Sequence, residues 1–413
     1  MIDWSSRYAG RAGRMGASEI RELLKLLDQP DIISFAGGIP DPALFPMESI
    51  TAAYQRILSD PARAATALQY SASEGYPPLR EWIAGYMAGL GASCTAEQVL
   101  ITSGSQQALD FLGKLFVSSG DTVLVARPTY LGALQALSAY EPVYGPLPGQ
   151  SASGAMAASA QKGRAAMGYV MPDFQNPSGT SLSLAERKAL LDATPGLPLV
   201  EDAAYEALRY DGEQTPSLLA LEAQRAGGVE HGRVIYCGTF SKTVVPGLRL
   251  GWIVAPTPVI RRLVLIKQAS DLHTATLSQM VMHEVVTETM PDCLQPIRQA
   301  YRARRDAMLQ ALANEMPEGV NWTKPTGGMF VWVELPAGVD AAILLERAIK
   351  EARIAFVPGR AFHADGTGRN TLRLSFSCAE DSKIGEGISR LGALLRKQSL
   401  AAMEARTPIP RPA

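Results

Sequence analysis

The chain has 413 residues, 47% hydrophobic and 19% charged, enough for one large folded unit and a smaller one and too apolar for extended disorder. Its formal net charge of -1 gives no general attraction to nucleic acid or to an anionic membrane, so any anion must be met by a local site. The four cysteines (Cys94, Cys237, Cys293, Cys378) and four histidines (His231, His273, His283, His363) show neither C-x-x-C nor metal-ligand spacing, which weighs against a disulfide framework or zinc site and fits a reducing cytoplasm, and no apolar run reaches the ~18–20 residues that span a bilayer.

Met1 to Gly16 carries arginines but no apolar core, so it is not read as a secretory signal. Ser18 with Arg21-Glu22 precedes Leu23, Leu24, Leu26 and Leu27, a capped amphipathic helix. Ile32 to Pro42 holds the pair Gly37-Gly38, where a backbone can approach a ligand closely or simply turn. Leu68 to Arg80, with Tyr70 and Gly75, is a loop feeding a helix. Val99-Leu100-Ile101 is a short strand that runs through Thr102-Ser103-Gly104-Ser105-Gln106 into a helix. The free N–H groups and positive dipole end of such a helix start can hold an anion, though many capped helices hold none. Thr122 to Ala126 is the next strand, with Tyr130 just beyond it, placed to stack on a flat ring or to fill core.

Gln150 to Arg164, rich in Ala, Gly and Ser, reads as an exposed, loosely specified connection or marginal helix with no chemistry. Gly168 to Met171 is a strand followed by Asn176-Pro177-Ser-Gly179, where proline restricts the asparagine to extended or turn geometry. Leu197 to Val200 is a buried strand ending in Glu201-Asp202-Ala-Ala-Tyr205. A carboxylate there can keep a ring nitrogen protonated, or can cap a helix. Two long helical patterns, Pro258 to Glu288 and Cys293 to Met316, lead to Gly327 to Leu335 (strand), Asp340 to Arg353 (helix), Ile354 to Pro358 (strand), Asn370 to Ser377 (strand) and Lys383 to Lys397 (helix). Arg373 alternates with Leu372 and Leu374, so it faces away from them, toward a partner or toward solvent.

The most informative stretch is Cys237-Gly-Thr-Phe-Ser241-Lys242-Thr-Val-Val-Pro-Gly-Leu-Arg249-Leu-Gly. An apolar strand ends at Ser241-Lys242, and a second begins at Leu250. A lysine desolvated there has a lowered pKa, and its neutral amine can form a Schiff base with an aldehyde. Arg249 can grip a phosphate with two parallel hydrogen bonds. An aldehyde that also carries a phosphate points to pyridoxal 5'-phosphate (PLP).

Ser-Lys-x-x-x-Pro-Gly-Leu-Arg-Leu-Gly resembles the lysine segment of the fold-type I PLP-dependent aminotransferases. The order of the other motifs is similar too, from about Ile20 to Lys397. Ile33-Ser-Phe-Ala-Gly-Gly, Gly104-Ser-Gln-Gln-Ala-Leu-Asp110 and Ala269-Ser-Asp-Leu-His273 look like the 2-aminoadipate/kynurenine aminotransferase subgroup. The resemblance implies an α/β fold: a large PLP-binding domain with a mostly parallel seven-stranded sheet flanked by helices, plus a smaller α+β domain. It divides the chain into an arm (1–47) packing with the small domain, the large domain (48–310), the small domain (311–400) and a disordered tail (401–413).

The resemblance also implies roles. Lys242 holds PLP and acts as general base and acid. Asp202 supports the pyridine nitrogen, and Asn176 and Tyr205 bond its phenolic oxygen. Tyr130 stacks on the ring. Ser103, Gly104, Ser105, Gln106, Ser241 and Arg249 cradle the phosphate, completed by Tyr70 of a second copy in a homodimer with shared active sites. Arg373, with Asn176 and Gly38, binds the substrate, and Arg21 can meet a side-chain carboxylate or stay an exposed helix residue. The reaction implied is amino transfer from an L-amino acid to a 2-oxo acid, 2-oxoglutarate being the expected acceptor. A lyase or decarboxylase on the same fold, and a PLP-binding transcription regulator, are the alternatives; the short stretch ahead of Ile20 and the charge of -1 weigh against the regulator.

Overall fold

The computed structural model describes residues 1–14, 31–149, 165–290 and 292–404. The expected helix with Arg21 and the Gln150–Arg164 connection lie outside the described residues. The first strand is β1 (Ile33–Ser34). Strands β2 (Val99–Thr102), β3 (Thr122–Val125), β4 (Val143–Pro146), β5 (Ala165–Val170), β6 (Leu199–Asp202), β7 (Val234–Thr239) and β8 (Gly251–Val254) form one sheet in the order β2-β8-β7-β6-β5-β3-β4. Only β8 runs against its neighbours, β2 and β7. The other pairs are parallel.

Parallel neighbours require crossovers, and helices supply them. Ser105–Phe116 follows β2, Leu131–Ser138 follows β3, Leu184–Ala193 follows β5 and Leu218–Ala226 follows β6. Helices on both faces explain the unbroken apolar runs: every residue of β2, β6, β7 and β8 is buried. The parallel arrangement also brings the ends of β2, β3, β5, β6 and β7 to a single sheet edge, where open α/β sheets bind ligands. Edge strand β4 has no counterpart in the sequence reading. It lies among Pro142, Pro146 and Pro148, which an edge tolerates because a missing donor can face solvent.

Strands β9 (Asn321–Trp322), β10 (Phe330–Glu334), β11 (Ile354–Ala355), β12 (Val357–Pro358) and β13 (Thr371–Ser375) belong to the C-terminal part. A four-stranded antiparallel sheet has the order β12-β13-β10-β9, while β11 pairs in parallel with β1. Phe35 N donates to Ala355 O at 2.7 Å, and Ser375 N donates to Phe35 O at 2.9 Å. The segment after β1 is therefore strapped to β13, which sets Gly37-Gly38 beside Arg373.

Three boundaries differ from the sequence expectation. The Pro258–Glu288 pattern is two helices, Thr257–Gln268 and Thr276–Thr289. Between them the N–H groups of Ser270, Asp271 and Leu272 converge on Lys267 O, and Leu272 takes a left-handed φ of 66°. The strand expected over Gly327–Leu335 is only β10, because Gly327-Gly328 turns against Phe174. The last helix, Asp381–Glu404, passes its expected end at Lys397 and replaces the first residues of the expected tail. Residues 405–413 lie outside the described residues.

Gly387 on that last helix lets the buried Phe35 ring dock: a Cβ there would stand 2.6 Å from two ring carbons. Gly387→Ala should lower unfolding free energy by about 1–3 kcal/mol from overpacking, despite the ~1 kcal/mol that alanine adds to helix propensity. A lower urea midpoint at unchanged slope is the expected result.

Candidate active site

Lys242 sits in the loop after β7. Ser241 N donates to Thr239 Oγ1 at 3.1 Å, which turns the chain immediately before the lysine. Lys242 Nζ donates to Gly38 O at 3.0 Å and lies 6.0 Å from the centre of the Tyr205 ring. Burial, then the positive charges of Arg373 and Arg249, lower its pKa to about 8.

Asp202, the last residue of β6, is buried. Its Oδ2 accepts from Tyr169 Oη at 2.8 Å, and its Oδ1 accepts from Ala204 N at 3.3 Å. Burial raises its pKa to about 6, opposed by the Tyr169 and Ala204 hydrogen bonds and the Lys242 charge. Tyr169 lies mid-strand in the apolar run of β5, and its place in the sequence marks it only as core.

Arg373 is 2% exposed and has no carboxylate partner among the described residues. Its Nη1 donates to Asn176 Oδ1 at 2.8 Å and its Nη2 to Ala36 O at 2.7 Å, while Nε is left without a partner. Phe330 and Phe362 cover it, with ring centres 4.3 and 5.1 Å from Cζ. Burial pulls its pKa down to about 10. A Cβ on Gly38 would meet Phe330 at 2.9 Å, so this close approach needs glycine. Burial raises the Tyr205 phenol, with hydrogen bonding to Asn176 opposing the shift. Nothing in the sequence singles out Phe330 and Phe362, since alternating aromatics in a β-rich domain read as core.

A second cation lies at the β2 helix start. Gly104, the residue before the Ser105–Phe116 helix, has φ of 87°. A Cβ there would stand 2.5 Å from Arg249 Nη2. Arg249 donates to Pro246 O at 3.1 Å and also has no carboxylate partner among the described residues. Ser103 and Gln106 are present in this turn, but much of their donor capacity is used inside the protein. Ser103 N donates to Gln107 Oε1 at 2.9 Å, Ser103 Oγ to Asp271 Oδ2 at 3.1 Å, and Gln106 Nε2 to Gly132 O at 2.7 Å. What remains is the helix-start N–H set with the hydroxyl of Ser105, beside Arg249.

Tyr130 is folded back over Gly132, whose missing Cβ makes room for the ring. Burial raises its pKa to about 12. Tyr70 is not brought to these residues within the chain: it is 78% exposed and edges only His273, at 5.9 Å. A cavity of about 720 Å³ lined by Trp82, Tyr86, Glu206 and Arg298 contains neither Lys242 nor Arg373.

Two buried or crowded arginines without acids, a lysine of lowered pKa and a strand-end aspartate leave places for two anionic groups around an amine. The orphaned Arg373 Nε and the approach of Arg249 to the helix-start turn, which only a glycine at position 104 allows, fit a carboxylate substrate and a phosphate-bearing cofactor. This combination at the carboxyl edge of a mostly parallel sheet defines the class of PLP-dependent enzymes. The sequence profile described as aminotransferase class I and II matches residues 30–391, and the chain belongs to that family. It is a PLP-dependent aminotransferase.

The chain is 44% identical over 400 residues to a 2-aminoadipate transaminase of Thermus thermophilus, covering 96% of this chain and 98% of that protein. It is 41% identical over 409 residues to aromatic-amino-acid aminotransferase 1 of Thermococcus litoralis, covering 96% of each. The crystal structure of an α-aminoadipate aminotransferase of Thermus thermophilus, complexed with N-(5'-phosphopyridoxyl)-L-leucine, superposes with a TM-score of 0.86 at 43% identity, covering 97% of this chain and 100% of that one.

The lowered Lys242 pKa has a direct consequence. In cofactor-free protein, carbamylation of Lys242 by cyanate should rise with pH and level off near pH 8, because only the neutral amine reacts. An ordinary lysine keeps gaining until ~10.4. Mass spectrometry of the Lys242 peptide against a surface lysine reads the difference.

Proposed function

We propose that the protein moves the α-amino group of an L-amino acid to 2-oxoglutarate, with L-2-aminoadipate the foremost donor and aromatic, kynurenine and branched-chain amino acids within its range. The observation that carries this reading is the pairing of a depressed lysine with an acid-free buried arginine, Lys242 and Arg373, joined through Gly38 and Ala36. The name of the Thermus thermophilus relative supports aminoadipate as donor.

PLP, when bound, supplies an aldehyde for the amino group and a pyridine ring that withdraws electrons. The residues then divide the work. Lys242 Nζ, with a pKa lowered to about 8 and so available as the neutral amine in that range, would remove the proton from the substrate α-carbon and return it. Asp202 would keep the pyridine nitrogen protonated, its carboxylate held by the Tyr169 hydroxyl at 2.8 Å. Asn176 and Tyr205 would bond the phenolic oxygen, and Tyr130 would pack on the cofactor. Arg249, Ser241 and the Ser103–Gln106 turn would hold the phosphate. Arg373 takes the α-carboxylate in place of its present neutral partners.

The exposed Tyr70 supports a homodimer in which it completes the partner's phosphate site. Arg21 is assigned to the donor side chain, on its segment's likeness to the subgroup. The division into 1–47, 48–310 and 311–400 is supported by one sheet within 99–254 and another within 321–375. Four free thiols support a cytoplasmic location.

Titration of the holoprotein with L-2-aminoadipate, L-leucine, L-tyrosine and L-kynurenine, without oxo acid, tests the reaction. The visible cofactor band should convert to the pyridoxamine form, with aminoadipate effective at the lowest concentration. A band that no amino acid converts would sink amino transfer in favour of lyase or decarboxylase chemistry. Arg373→Lys should lower kcat/KM for all donors roughly 10- to 150-fold, the value of a charge-assisted bidentate contact. Asp202→Asn should lower kcat about 10²–10³-fold with little change in donor KM, since its charge acts on the reacting ring.

A further inference from the structure

The phrase Ala269-Ser-Asp-Leu-His273 has no part in the chemistry above, yet it meets the anion turn. Lys267, in the last turn of Thr257–Gln268, is fully buried. Its Nζ lies 3.0 and 3.1 Å from the two oxygens of Asp271 and donates to Gln107 Oε1 at 3.0 Å. Asp271 Oδ2 also accepts from Gln107 Nε2 at 2.8 Å and from Ser103 Oγ at 3.1 Å. Gln107 Oε1 accepts from Ser103 N at 2.9 Å, which closes a ring of four residues.

Two consequences follow from this ring. Both donors of Ser103 are held by protein acceptors, so the direction of the turn is set before any ligand arrives. A carboxylate also touches the first residue of an anion-binding turn, where its charge opposes an incoming dianion. Lys267 is the cation paired with that carboxylate among the described residues. Burial raises the Asp271 pKa, but hydrogen bonds from Gln107, Lys267 and Ser103 outweigh it and leave the group below its ordinary value, hence ionised.

We propose that Lys267 and Asp271 are positioning residues for cofactor phosphate: the pair fixes Ser103 so that the turn presents its helix-start N–H groups, and Lys267 cancels the Asp271 charge. The proposal rests on reading Ser103–Gln106 as the phosphate cradle. It differs from ordinary helix anchoring because its effect is confined to ligands that carry phosphate.

Full-length protein freed of cofactor is titrated with PLP and, separately, with pyridoxal, which lacks the phosphate. The ratio of the two affinities reads the phosphate contribution alone. Lys267→Met should weaken PLP binding roughly 10- to 100-fold, as an unpaired charge near an anion does, and leave pyridoxal within about twofold. Equal losses for both ligands, or no loss for either, would overturn the proposal. Lys267→Met/Asp271→Asn removes both charges and should return the ratio to within about threefold of the unmodified protein. If Lys267→Met does not fold, the double variant decides: a ratio still lowered about tenfold or more overturns the proposal. An unmodified protein with no preference for PLP over pyridoxal would instead overturn the cradle reading, and this proposal with it.

Discussion

Lys242 and Arg249 lie at the carboxyl edge of the large sheet, with Asp202 the buried carboxylate there, and Arg373 reaches the same place from β13 of the C-terminal sheet. Holding these cations together raises their free energy because they repel one another, and Lys242 and Arg373 also lose hydration, while Arg249 stays exposed. The protein offsets this with neutral acceptors: Gly38 O for Lys242, Pro246 O for Arg249, and Ala36 O with Asn176 Oδ1 for Arg373. Two phenylalanine faces add attraction for the Arg373 guanidinium. These contacts keep the cations in place without neutralising them. A ligand that brings negative charge therefore stabilises the folded chain by mass action as well as entering a site.

That constraint decides how the two parts of the chain meet. Arg373 belongs to β13 of the C-terminal sheet, whereas Asn176 and Lys242 follow strands of the large sheet. The strap from Ala36 to Gly38 touches both, receiving Arg373 on one carbonyl and Lys242 on another. Asp41, a few residues on, pairs with Arg304 at 2.6 Å, and its N–H donates to Tyr301 Oη at 3.1 Å. Both partners lie on the Leu294–Glu315 helix. The strap is thus fixed at both ends, by β11 and β13 before the glycines and by this helix after them. Its carbonyls at Ala36 and Gly38 can then hold a geometry that depends on both sheets.

Much of this was legible in the sequence because a parallel sheet writes its own ends. Strands covered on both faces read as apolar runs, so the polar residues that end or soon follow each run, such as Ser103, Asn176, Asp202 and Lys242, lie at the edge. What was not legible depends on contacts distant in sequence. Tyr169 sits inside an apolar run, and only the pairing of β5 with β6 brings its hydroxyl to Asp202. Phe330 and Phe362 follow core patterning; Phe330 reaches Arg373 through the pairing of β10 with β13, and Phe362 from a short 3-10 turn, Gly359–Phe362. The break after Gln268 was hidden because Leu263, Ile266, Leu277 and Met280 keep a helical period across it. Polar Ser270-Asp271 ends the first helix there by drawing backbone donors onto Lys267 O.

Other buried arginines separate fold from function by their partners. Arg187 is fully buried, yet Asp173 lies 2.8 Å from it, and the carbonyls of Pro172, Leu182 and Pro216 take its remaining donors. Asp173 also pairs with Arg209 at 2.8 Å. These cations are compensated, and their effect is to pin the loop that leads to Asn176. Arg373, equally buried, ends on neutral groups with Nε unbonded. Removing an acid from Arg187 would leave an uncompensated buried charge and cost about 3–5 kcal/mol. Arg373 already stands in that condition, held only by neutral acceptors and two aromatic faces, which is the arrangement expected of a cation kept for a carboxylate from outside the chain. The same contrast separates Lys267, paired with Asp271, from Arg249, which has no acid beside it among the described residues.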